Sequence, residues 1–182
     1  MLKKRRSSAE KKSGPTKLTR TAKPIIRDAT FKVIASRLVP LPLRGRLLAK
    51  AGHNVHPSAT ICPSGFIGAW NGLTIGPRAF INYGCFFDLG AETTIGADTG
   101  LGYEVMLITC THEPGTRESR RGASISRPVA IGRGCWIGAR TVIMPGVTIG
   151  DGCVVAANSV VTSDCEPHGL YAGIPATRKK DL

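Results

Sequence analysis

His112 is the side chain here best suited to move a proton. It stands in the polar run Thr109-Cys110-Thr111-His112-Glu113-Pro114, and a neutral imidazole takes up a proton near pH 7, as a general base must. The other histidines are placed differently: His53 and His56 come at the start of the patterned region, and His168 falls near the C-terminus. Cys110, two residues before His112, is placed to line the same site. The six cysteines contain no Cys-x-x-Cys pair, so a zinc site lacks its spacing and no metal is expected. No Gly-x-Ser-x-Gly nucleophile elbow is present either.

The elements that position His112 follow from a six-residue period. Aliphatic or aromatic residues recur at Val55, Ile61, Ile67, Ile75, Ile81, Phe87, Ile95, Leu101 and Leu107, then at Ile125, Ile131, Ile137, Ile143, Ile149, Val155 and Val161. A period of six fits neither a helix nor a single strand. It fits a parallel β-helix whose coils are triangular, with the aliphatic pointing inward and Gly or a polar residue turning the corner. A small residue follows four places later at Ala59, Ala79, Thr99, Val105, Thr141, Val147 and Ser159. Cys85, Cys135, Cys153 and Cys165 occupy the same slot and read as buried thiols. Cys62 and Cys110 fall outside it and are the two expected to meet a thiol reagent. Two-residue insertions precede Ile75 and Ile95. The large break is the polar loop 111–124, across which the register is kept, and such loops carry function more often than framework.

Charge divides the chain. Its net charge is +13, and residues 1–50 hold 15 Lys and Arg against Glu10 and Asp28, so the rest is balanced. Residues 1–24 read as a disordered basic arm. Residues 25–52 read as a helical extension: an amphipathic helix ending near Pro40 and Pro42, then a short helix over 43–50 that caps the first coil and closes at Gly52. The simpler use of the first helix is packing on the solenoid end; the sharper one is contact with an anionic membrane. No nucleic-acid motif accompanies the charge, and no nucleic-acid partner is expected. No apolar run reaches signal-peptide or membrane-spanning length, which places the protein in the cytoplasm, with the inner membrane face as a peripheral location. The repeat domain is assigned to 53–168 and a C-terminal segment to 169–182.

Residues 55–180 resemble the hexapeptide-repeat O-acetyltransferases of the maltose, galactoside and nodulation-sugar type. The matching stretches are Ile81-Asn82-Tyr83-Gly84-Cys85, Thr111-His112, Ile131-Gly132-Arg133-Gly134-Cys135-Trp136-Ile137-Gly138-Ala139, Pro145-Gly146-Val147-Thr148-Ile149-Gly150 and Gly173-Ile174-Pro175-Ala176. The resemblance implies an all-β fold, a left-handed parallel β-helix, a homotrimer and acetyl-CoA as donor. It makes His112 the catalytic base and puts Asn82, Asp88 and Trp136 on the acceptor. Asn82 takes a corner place where a positive φ is an alternative reason for Asn, and Trp136 has solenoid packing as its alternative. On the donor side it implies Ala139, Ala157, Thr162 and Ser163, with Arg178 and Lys179 as the cations for the CoA phosphates. Thr177 and Ser163 depart from the family, which commonly has a basic residue at each place.

The reaction so implied is direct transfer of acetyl to a hydroxyl of a sugar or surface glycan. An N-acetyltransferase acting on an amino-sugar nucleotide would use the same donor and solenoid. A non-enzymatic scaffold would need neither His112 nor Asn82. A β-helix carbonic anhydrase would need three zinc histidines, and only His112 lies in the right region.

Overall fold

The computed structural model describes residues 17–182, with side chains from Pro24 onward; of the disordered arm expected over 1–24, residues 1–16 lie outside the described residues and 17–24 are helical instead. The remainder is a β-solenoid of about six coils preceded by two helices. Three parallel sheets form the sides of the prism. The first stacks Asn54–Val55, Leu73–Ile75, Thr93–Ile95, Val129–Ile131 and Thr148–Ile149. The second runs from Thr60–Ile61 through Phe80–Ile81, Gly100–Leu101, Trp136–Ile137 and Val154–Val155 to Gly169–Gly173, where Ala176–Asp181 adds antiparallel. The third stacks Phe66–Ile67, Phe86–Phe87, Met106–Leu107, Val142–Ile143 and Val160–Val161.

The inward aliphatics lie directly above one another, as Ile75 over Ile95 and then Ile131 and Ile149, and form one continuous core. Fully burying such a side chain contributes roughly 1.5–3 kcal/mol, repeated coil after coil. The small slot is filled as the period predicts: Thr99, Val105, Thr141 and Ser159 are buried, as are Cys85, Cys135, Cys153 and Cys165. The two hydroxyls of Thr99 and Thr141 are satisfied by the carbonyls of Gly132 and Gly138 at 2.6 and 2.8 Å. At Gly138 a Cβ would stand 2.4 Å from the Ala157 backbone nitrogen, so the coils approach too closely there for a side chain.

Register partners show how the breaks are absorbed. Asn54 pairs with Thr74 and Thr74 with Thr94, twenty residues apart, while Ala130 pairs with Thr148, eighteen apart. Thr94 pairs with Ala130, thirty-six apart, so the long insertion amounts to one extra coil length and leaves the solenoid in step. That insertion is no loop but an antiparallel hairpin, Cys110–Pro114 against Arg121–Ser126. Ile125, expected among the inward residues, pairs with Thr111 in this hairpin; Val129 and Ile131 resume the core.

The helices differ from expectation in their limits. α1 is Lys17–Ile34, beginning before residue 25 and ending well before Pro40, and α2 is Leu41–Lys50. α1 buries Phe31 and Ile34 and exposes Ile25, Ile26 and Val33. The Phe31 ring sits 5.5 Å from that of His53 and 5.3 Å from that of Trp70. Gly52 then closes the extension at φ 116°, in the left-handed region. Cys62 is buried beneath these helices, contrary to its expected accessibility, and its burial raises the thiol's pKa. Among the described residues no helix is long and apolar enough to cross a membrane.

Candidate active site

The predicted site residues fall on two edges of the prism. Asn82, Ala139 and Ala157 stand where the second sheet turns into the third. The corner backbone is bonded coil to coil, Glu104 N–H to the Tyr83 carbonyl, Arg140 to Tyr103 and Asn158 to Ala139. Ala139 and Ala157 line one open groove of about 430 Å³ together with Tyr103 and Arg140. Asp88, Thr162 and Ser163 stand on the next edge, where the third sheet turns into the first, and the His112 hairpin springs from the same edge. There Ile108 N–H bonds the Ile143 carbonyl and Met144 N–H the Val161 carbonyl, so Thr162 lies two coils beyond the hairpin's root. The third sheet thus separates Asn82 from His112 within one chain.

Asn82 is not in the left-handed region, so a positive φ does not account for it; Gly84, two residues on, takes that conformation at φ 73°. The Asn82 Oδ1 accepts the Tyr83 N–H at 2.9 Å, and its amide NH₂ group has no partner among the described residues. Asp88 turns inward on the chain itself. Its carboxylate accepts the backbone N–H of Thr109 and of Cys110 at 3.0 Å, that of Gly90 at 3.2 Å, and the Thr109 hydroxyl. It therefore fastens the root of the hairpin that carries His112, a task the expected acceptor contact did not include.

His112 is half-buried on the first hairpin strand. Arg121 on the second strand, where it pairs with Pro114 while Ser124 stands opposite His112, donates from Nε to His112 Nε2 at 3.0 Å. A guanidinium has no lone pair to offer, so this bond requires Nε2 to be the unprotonated nitrogen. The lone pair a base would use is thus formed and covered by Arg121. The sequence shows Arg121 only as one basic residue of a polar loop; it is the hairpin that lets its side chain reach back to His112.

Comparison with known proteins agrees with this architecture. The family described as hexapeptide repeat of succinyl-transferase matches residues 128–163. Over 122 residues the chain is 39% identical to nodulation protein L of Rhizobium meliloti (strain 1021), covering 67% of each. The chain belongs to the hexapeptide-repeat acyltransferases. Other curated relatives are matched over about half their own length. The crystal structure of a maltose O-acetyltransferase from Clostridium difficile 630 superposes with a TM-score of 0.80 at 27% identity, covering 88% of this chain and 87% of that one. A hexapeptide-repeat acetyltransferase of Vibrio cholerae O1 biovar eltor, solved with acetyl coenzyme A, superposes at 0.76 with 28% identity, covering 90% and 89%.

The remaining expected residues of this acyltransferase have distinct surroundings. Trp136 is 50% exposed on the outer face of the second sheet, and its ring lies over Gly100, where a Cβ would come within 2.8 Å. Arg178 is committed internally, contrary to its expected use on the donor. It donates to the Glu166 and Pro167 carbonyls at 3.1 Å and the Tyr171 hydroxyl at 3.0 Å, and pairs with Asp181 at 2.8 Å. Lys179 is exposed and makes one bond, to the Thr177 hydroxyl at 2.8 Å, leaving it the freer cation. No metal-binding group of His, Cys, Asp or Glu occurs among the described residues.

Proposed function

We propose that this acyltransferase moves an acetyl group from acetyl-CoA to a hydroxyl of a sugar or glycan, with His112 as general base. The observation that supports the reading is the hairpin rooted on the edge that also bears Thr162 and Ser163, two of the expected donor residues; Ala139 and Ala157, on the other edge, join them from a second copy of the chain. The acceptor hydroxyl displaces Arg121 from His112 Nε2 and gives up its proton there. Its oxygen attacks the thioester carbonyl; the tetrahedral adduct expels the CoA thiolate, which recovers the proton from the imidazolium. Ala139 and Ala157 leave room for an extended pantetheine arm, and Lys179 meets a phosphate. Asn82, with its free amide, and Trp136 face the acceptor.

The same reading requires a second copy of the chain, because Asn82 and His112 occupy different edges. The outer faces supply a reason for association. The second sheet shows Phe80 and Trp136, and the third shows Met106 and the stacked pair Phe66 and Phe86, centroids 4.6 Å apart. The first sheet shows Asn54, Thr74, Thr94 and Thr148 instead. Two unlike apolar faces per chain suit a head-to-tail contact that closes into a ring, here a homotrimer. The exposed Ile25, Ile26 and Val33 of α1 give the basic extension a face for an anionic bilayer.

The test is acetyl transfer from acetyl-CoA to a panel of free sugars, sugar phosphates and lipid-linked glycans, by wild-type protein and His112→Ala. Transfer that depends on His112 supports the reading. Equal transfer by both proteins, or none to any hydroxyl while an amino sugar is acetylated, overturns it.

A further inference from the structure

Arg44 is a buried cation without a counter-charge. It is 3% exposed, on the first turn of α2. Its Nη2 donates to the Ser36 carbonyl at 3.0 Å and its Nη1 to the Ile61 carbonyl at 3.4 Å, while Nε has no partner. No carboxylate pairs with it among the described residues. A guanidinium does not shed its charge, so burial against two carbonyls leaves it undercompensated.

The space beside it has the character of an anion site. A cleft of about 410 Å³ is lined by Arg37, Pro40, Leu41, Arg44, Pro63 and Tyr83, with no acidic residue among its walls. The N-terminus of α2 opens there: Pro40 is its N-cap and no side chain caps it; Pro42 has no N–H and Leu43 N–H bonds the Pro40 carbonyl at 3.0 Å, so Leu41 is the first-turn residue whose N–H is left for an anion. A helix start of this kind carries partial positive charge and favours an anion. Arg37 adds an exposed guanidinium, and the Tyr83 hydroxyl has no bond among the described residues. Asn82 lines not this cleft but a small inner cavity that shares Arg44 with it, and its chain neighbour Tyr83 lines the cleft.

We infer that this cleft binds a compact anionic group, a phosphate ester or a carboxylate, carried by the acceptor. Arg44 supplies the buried charge, Arg37 the exposed one, and Leu41 a backbone N–H. The assignment of the anion to the acceptor rests on the proposed function; the existence of the anion site does not. Binding neutralises Arg44, ties the turn between the helices to the solenoid and presents a neighbouring hydroxyl toward Asn82.

The experiment uses the full chain with saturating CoA, so that donor-side cations are already occupied. Titration calorimetry with inorganic phosphate and with glucose 1-phosphate is run on wild-type protein, Arg37→Ala, Arg37→Glu and Arg44→Gln. Arg37 is exposed, so its variants test the site even if Arg44→Gln fails to fold. Both ligands should bind the wild type, roughly tenfold more weakly to Arg37→Ala, as loss of one charged hydrogen bond predicts, and not measurably to Arg37→Glu. No binding to wild type, or equal binding to wild type and Arg37→Glu, overturns the site. In the transfer assay glucose 1-phosphate should show a lower KM than glucose, a difference that Arg37→Glu erases without changing the acetyl-CoA KM. Arg37-dependent phosphate binding without that difference keeps the anion site and overturns its link to the acceptor.

Discussion

Removing the Asp88 carboxylate should loosen the hairpin that bears His112 without unfolding the solenoid. In Asp88→Ala the N–H groups of Thr109, Cys110 and Gly90 and the Thr109 hydroxyl lose their acceptor together. A hydrogen bond to a charged group contributes about 1.5–3 kcal/mol, and Asp88 is half-buried, so water restores part of the loss; a local cost of roughly 2–4 kcal/mol is expected. The core below is untouched, so this cost falls on opening of the hairpin root rather than on global stability. The open population should rise about 30-fold or more. Asp88→Asn keeps one acceptor oxygen and should lose about half as much free energy. Hydrogen exchange resolved at Thr109 and Cys110 measures the opening, with Ile137 as the unperturbed control. Transfer kinetics should show a lower kcat and an unchanged acetyl-CoA KM. Unchanged protection at Thr109 and Cys110, with a raised acceptor KM, would refute the fastening argument and return Asp88 to a direct acceptor contact.

Four further outcomes are expected. His112→Ala should lower transfer by about 10²–10⁴-fold while acetyl-CoA affinity, measured by calorimetry, stays near wild type. A maleimide should label the native protein once, at Cys110; burial pushes the Cys85 and Cys165 thiols up to about 12 and also raises Cys135, so rapid labelling of any of these would displace the core register. Burial lowers the pKa of His53 from 6.5, the backbone of Ala69 opposing it only in part. Below pH 6.5 the unfolded chain binds a proton that the folded one resists, so stability should fall with acid through that window, and the thermal melting of His53→Leu should depend less on pH between about 7 and 5. Anionic vesicles should co-sediment the full chain at low salt but not a variant lacking residues 1–39; equal, salt-insensitive sedimentation would remove the membrane contact.

The solenoid was legible because each coil repeats the same demand. A residue at Ile137 or Val155 must be aliphatic, the next must turn a corner, and the fourth must be small, so one period specifies packing three times over. Ile125 misled for the same reason: it keeps the spacing but belongs to a strand that leaves the prism. The first helix starts earlier than expected because the basic, apolar-poor composition of residues 1–24 reads as disorder, whereas α1 begins at Lys17 within it. Family likeness pointed to His112 and Asn82 through local motifs. It was silent on Arg121, whose importance comes from pairing across a hairpin, and on Arg44, whose burial depends on α1, α2 and the solenoid meeting. Neither kind of contact has a spacing that a single chain displays.

The strand Ala176–Asp181 has a consequence for colloidal behaviour. A stack of parallel coils ends in a row of open N–H and C=O groups, which is a template for another solenoid to continue. Here the final strand reverses direction, and Thr177, Arg178, Lys179, Lys180 and Asp181 are all exposed along it. An antiparallel, densely charged edge repels a second chain and offers the wrong polarity for another parallel coil. α2 covers the opposite end, touching the first strands of two sheets. The second sheet is therefore closed at this end, and the first strands of two sheets are covered at the other, so end-to-end stacking is disfavoured while sideways association can proceed through the flanks.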